Sequence, residues 1–138
     1  MKKYFQIFTA AALGSMAIAT VALSADDWSF VAGKYAVEKD DCKLLAKGRP
    51  FTKALAKGLN GEALTREGIT SHRETHCRFR SSSKVAGEKP GWAVKAACEE
   101  LGKVSQETIA VASGPDGSLV VTSDDVFGPP LTFVLCPK

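Results

Sequence analysis

His72 and His76 are the only histidines of this 138-residue chain, and they stand four positions apart in His-Arg-Glu-Thr-His. That spacing invites a metal-site reading. Zinc hydrolases, however, place glutamate directly after the first histidine of such a pair, on a helix. Here Arg73 holds that place and Glu74 follows it. The surrounding residues alternate like a strand, on which positions four apart lie about 13 Å from each other, too far to share an ion. His72-x-Glu74 is also half of a zinc-deaminase signature, but no Pro-Cys-x-x-Cys follows it. We expect no metal site and assign no cofactor. Nucleophilic chemistry finds little more support. There is no Gly-x-Ser-x-Gly elbow, and Ser71 and His72, as strand neighbours, point to opposite faces. The carboxylate pairs Glu99-Glu100 and Asp124-Asp125 diverge for the same reason. No glycine-rich phosphate loop or nucleotide fingerprint is present. No catalytic residue is assigned, and a small enzyme of unknown reaction stands as the third reading, behind two kinds of binding protein.

The four cysteines, Cys42, Cys77, Cys98 and Cys136, contain no close C-x-x-C pair, which speaks against zinc knuckles and thioredoxin-like chemistry. An even number in an exported domain implies two disulfides. Three connectivities exist, and one has geometric support. The Ala86-Gly87-Glu88-Lys89-Pro90-Gly91 cluster reads as a turn between two strands, and Cys77 and Cys98 lie symmetrically about it. Cysteines facing each other across a hairpin have Cβ atoms within about 5.5 Å, close to bridging distance. Cys42 and Cys136 would then tie the start of the domain to its end.

Export is read from the beginning of the chain. Lys2 and Lys3 precede an apolar run over 7–23, and Ala22 and Ser24 supply small residues for cleavage after Ser24, with cleavage after Ala25 as an alternative. We take 1–25 as a signal peptide and 26–138 as a single disulfide-bonded domain. A membrane anchor is the competing reading of the same run, and Asp26-Asp27 immediately after it favours cleavage. The expected location is periplasmic or secreted, with no membrane span once the signal is removed.

The elements that must position these residues follow from spacing. A first strand is expected over 28–38. Asp40 or Asp41 can cap a short helix over 42–47 that Gly48 ends. A second helix is expected over 50–57, because Pro50 suits a first turn and Phe51, Leu55 and Leu59 recur every four residues. The period then becomes two. Strands are expected over 69–81, 92–99, 106–112, 118–123 and 131–136, with a turn at Gly114-Pro115-Asp116-Gly117. The fold class is α+β: an antiparallel meander of five to six strands with two short helices after the first, able to close into a small barrel if the first and last strands pair. Trp28, Trp92, Tyr35 and the phenylalanines are expected in the core.

Charge gives the best functional lead. The whole chain carries a formal +3, but residues 43–84 hold ten basic side chains against three acidic ones. Lys53 and Lys57 share a helix face, and Arg78 and Arg80 share a strand face. Two basic rows on exposed faces would attract an anionic envelope component, such as lipopolysaccharide or an acidic glycan, or an acidic protein surface. Nucleic-acid binding is excluded by the expected location and by the lack of a recognition motif.

The pattern Asp-Asp-Cys42-Lys-Leu-Leu, His-Cys77-Arg-Phe, Gly-Trp92-Ala-Val-Lys-Ala-Ala-Cys98-Glu-Glu and Phe-Val-Leu-Cys136 resembles small four-cysteine exported proteins of Gram-negative bacteria. That group has no assigned role, so the resemblance implies location and disulfides and no activity. A more distant likeness in architecture is to periplasmic lysozyme inhibitors. It makes inhibition of lysozyme or another envelope hydrolase the alternative to a soluble module that binds anions.

Overall fold

The computed structural model describes residues 25–138, so the expected signal peptide, Ala25 apart, lies outside the described residues. Eight antiparallel strands follow one another in sequence order and close into a barrel. They are β1 (Tyr35–Ala36), β2 (Glu62–Thr65), β3 (Gly68–Ser71), β4 (Thr75–Val85), β5 (Gly91–Glu100), β6 (Lys103–Ser113), β7 (Leu119–Ser123) and β8 (Gly128–Leu135). Between β1 and β2 lie a 3-10 turn (Lys39–Asp41) and two one-turn helices, α1 (Cys42–Leu45) and α2 (Lys53–Ala56). A second 3-10 turn (Pro115–Gly117) falls in the expected Gly-Pro-Asp-Gly turn.

The closed antiparallel barrel agrees with expectation, while the strand count rises from five or six to eight and the helices are shorter than expected, Cys42–Leu45 for 42–47 and Lys53–Ala56 for 50–57. One extra strand comes from the region expected over 69–81, which holds both β3 and β4. That run is not one strand: it reverses at His72-Arg73-Glu74, where Glu74 takes φ 67° and its N–H bonds the Ser71 carbonyl. No Gly, Pro or Asn marks this turn. The local signal is Ser71, whose hydroxyl accepts from the Arg73 N–H at 3.1 Å. β2 was hidden because its four residues give too short a run for a clear period. The first strand is only Tyr35–Ala36, since the chain before it turns so that Phe30 enters the barrel and Trp28 packs against it.

Side-chain alternation fills the barrel. Register places Tyr35, Leu64, Ile69, Cys77 and Cys98 in one inward row across β1 to β5, and all are buried. Val94, Ile109, Val111, Val121 and Phe133 complete the core. The outward row beside it is Ala36, Ala63 and Thr70, whose small side chains let the helical segment lie close to the sheet. Leu45, Phe51, Leu55 and Leu59 pack there with Ala36 and Ala63 as a second core. The four-residue period thus named the right apolar positions although α2 is shorter than the helix expected over 50–57. The neighbouring turns are tied by i to i+3 bonds, as from Gly58 N–H to the Leu55 carbonyl.

Neither Asp40 nor Asp41 caps α1 with its side chain. Asp41 is buried and accepts instead from the N–H of Asn60, the Asn60 Nδ2 and the N–H of Gly61, at 2.9 to 3.1 Å. It fixes the return from α2 into β2. Asp40 pairs in solvent with Lys43. Gly68 has a different role. A Cβ there would lie 1.9 Å from the Cys77 carbonyl oxygen, so only glycine lets β3 approach β4 at this point.

The disulfides are Cys77–Cys98 and Cys42–Cys136. The first joins directly paired residues of β4 and β5, with Cα atoms 3.9 Å apart. The symmetry about the 86–91 turn survives because a bulge at Arg80 shifts the register by one residue between the turn and the cysteines. The second bridge lies beside the seam between β1 and β8.

Candidate functional site

A cleft of about 250 Å³ opens where α2 overhangs the β3–β4 turn and the β5–β6 turn. Its lining includes Lys53, Lys57, His72, Glu74 and His76. Each arrives by a separate local rule. Lys53 and Lys57 begin and follow the helical turn whose Leu55 and Ala56 are buried against the sheet. His72 and Glu74 stand on the reversal between β3 and β4, and His76 lies on the outer face of β4 opposite inward Cys77. Pairing then draws a straight outer row, Thr70 on β3, His76 on β4, Glu99 on β5 and Val104 on β6.

The turn overturns the single strand expected over 69–81: with the chain folded back on a hairpin, both histidines line one cleft. No group of three or more His, Cys, Asp or Glu side chains suited to a metal ion occurs among the described residues.

His76 is half-buried, its ring centroid 5.8 Å from that of Phe51. Burial first, then the positive charges of Arg78 and Lys53, hold its pKa below the ordinary imidazole value, against opposing pulls from Glu99 and Glu67. Its Nδ1 is enclosed without a hydrogen-bond partner, as is the hydroxyl of neighbouring Thr70. His72 Nδ1 is 3.9 Å from Glu62 Oε1, and the Ser71 hydroxyl donates to the same oxygen at 3.2 Å.

Of the four residues expected to bind anions, Lys53 and Lys57 line the cleft together. Arg78 stands exposed two positions beyond His76 on the same outer face. Arg80 does not join them in register, because it is the unpaired residue of the bulge. Lys53 is already bonded to Glu99, a half-exposed pair worth little in water but able to hold the lysine over the row. Sequence reading missed Thr70, His76 as a cleft residue, and Leu101, whose backbone turns at the cleft rim. A larger groove of about 510 Å³ beside Cys42–Cys136 is lined by Leu45, Leu135, Lys34 and Lys138, with no histidine or carboxylate side chain among its described residues.

The arrangement offers cationic donors above a partly apolar floor, with Glu74 as the one carboxylate of the lining among the described residues. Its volume suits a phosphate, sulfate or carboxylate group. Among the described residues, no hydrogen bond joins His72, Glu74 and His76 to one another. Compared with known families, curated proteins and solved structures, the chain matches none.

Proposed function

We propose that this protein is an exported binding module that captures an anionic group of an envelope component in the cleft beneath α2. The observation that carries the reading is the convergence of Lys53, Lys57, His72 and His76 on one cleft, with Arg78 beside them. Thr70 and His76, whose Oγ1 and Nδ1 are enclosed without a hydrogen-bond partner among the described residues, belong to the same lining. Work outside the cytoplasm is supported by the two disulfides and the basic, then apolar, start of the chain. The test is retention on phosphocellulose. Binding at low salt, a steep fall as salt rises, and loss in the Lys57→Glu, Arg78→Glu double variant are expected, with circular dichroism showing that the variant folds. No retention at low salt overturns the reading.

The convergence also supports a second reading, general acid–base catalysis between His76 and Glu74. Turnover of p-nitrophenyl phosphate or acetate that disappears in His76→Gln would establish it. Binding without turnover leaves the first reading alone.

A further inference from the structure

We propose that the ligand is an amphiphilic anion, whose headgroup sits in the cleft while its alkyl chain lies over Leu101 and Val104. The proposal rests on the anion-binding reading and deepens it. Leu101 and Gly102 form the two-residue connection between β5 and β6, with φ 49° and 79°. A turn with both central residues at positive φ favours Asn or Gly in its first place, because a Cβ there crowds the following carbonyl. Leucine is a costly choice for that place, and nothing in the fold compensates: its side chain is 78% exposed. Val104, a few residues on and 65% exposed, ends the outer row that runs Thr70, His76, Glu99, Val104.

Strain and exposed apolar surface thus occur together, and they occur at the cleft. Leu101 and Gly102 line it, and Glu74, another non-glycine residue with positive φ, lines it from the opposite turn. Backbone strain held at a site rim points to a function that the strain serves. The cleft itself has room for a headgroup and not for a chain, so a chain attached to that headgroup must leave it. Leu101 supplies an apolar wall at the rim, and Val104, paired with Glu99 in the outer row, is the next exposed large apolar side chain along β6. An inorganic anion would use only the cationic end of this surface, and an uncharged detergent only the apolar end.

The test is titration of the disulfide-bonded protein with inorganic phosphate, decyl phosphate below its micelle concentration, and decyl maltoside. It is read by NMR on the His72 and His76 rings and the Leu101 methyls. Burying much of an exposed leucine predicts that decyl phosphate binds about tenfold more tightly than phosphate. Decyl maltoside should bind more weakly than decyl phosphate. In Leu101→Asn the ratio of decyl phosphate affinity to phosphate affinity should fall from about ten to about one, and Tm should rise by a few degrees because the turn is relieved. That rise separates loss of a contact from loss of the fold, and Leu101→Gly repeats the test with a second residue that tolerates positive φ. Equal affinities for phosphate and decyl phosphate, an undiminished gain in Leu101→Asn, or decyl maltoside binding as tightly as decyl phosphate would overturn the proposal and leave anion binding standing. Failure of phosphate and decyl phosphate alike to bind would remove both.

Discussion

Replacing Cys42 and Cys136 together by serine asks whether a covalent link or backbone pairing keeps the barrel closed. The bridge joins residues 94 apart in sequence. Closing a loop of that length in the unfolded chain removes entropy worth about 4.5 kcal/mol at 25 °C. The second bridge shortcuts 21 of those residues, which lowers the figure by only a few tenths of a kcal/mol because the cost grows with the logarithm of length. Both cysteines are half-buried, so losing the sulfurs forfeits little packing and the change reports mainly the link. On the folded side the seam is short. It consists of Tyr35↔Leu135 and Ala36↔Val134, extended by one bond from the Cys136 N–H to the Lys34 carbonyl at 2.8 Å. We therefore expect a loss of about 4 kcal/mol, a large share of the 5–15 kcal/mol typical of a small domain. Urea unfolding followed by circular dichroism measures it, with a steeper m-value as the released unfolded chain expands. Native-state hydrogen exchange locates it: amides of β1 and β8 should lose protection first, while the long β4–β5 register from Thr75↔Glu100 to Val85↔Gly91 keeps its own. A loss below about 1 kcal/mol, or an equal loss of protection in β4 and β5, refutes the reasoning.

Three further outcomes are expected. Asp41→Ala should cost about 2–4 kcal/mol in urea unfolding, because the Asn60 and Gly61 donors lose a buried carboxylate; a cost within 0.5 kcal/mol, about that of a neutral surface change, would mean that water replaces it. Gly68→Ala should cost about 3 kcal/mol or more, since its Cβ meets a backbone oxygen that cannot swing away, and an unchanged Tm would show that β3 shifts freely. The pH dependence has a definite sign. His76 is held below its ordinary value in the fold, so the unfolded chain takes up the proton first. This part of the stability is intact above about pH 6.5 and falls as pH drops through that value towards the lower folded one. Urea midpoints across this range should fall less in His76→Gln, and parallel profiles would refute the assignment. A bound anion favours the imidazolium, so affinity for sulfate, whose charge is constant here, should instead rise as pH falls.

Much of this protein was legible in local pattern. The period of two located the strands β5 to β7, the 86–91 turn and the symmetry of Cys77 and Cys98 revealed one bridge, and the other followed by elimination. The apolar period of four picked out Phe51, Leu55 and Leu59, all buried beneath the helical segment. Charge counting found Lys53 and Lys57, because a run of basic residues needs no partner to be visible. These features are short-range: each depends on residues within a turn or hairpin of one another.

The tertiary structure alone decided what depends on distant residues meeting. Glu74 reverses the chain without a glycine or proline to announce it, and that reversal turns two histidines expected on one strand into walls of one cleft. Asp41 has the sequence of a helix cap, yet spends its carboxylate on Asn60 and Gly61, because a buried charge goes where the most N–H donors can surround it. Barrel closure brings β1 to β8, and packing lays α2 over β3. Composition and periodicity therefore determined the kind of chain this is, a disulfide-bonded β-rich domain with a basic middle. Pairing register and close packing, which no local window contains, decided which of its side chains share a site.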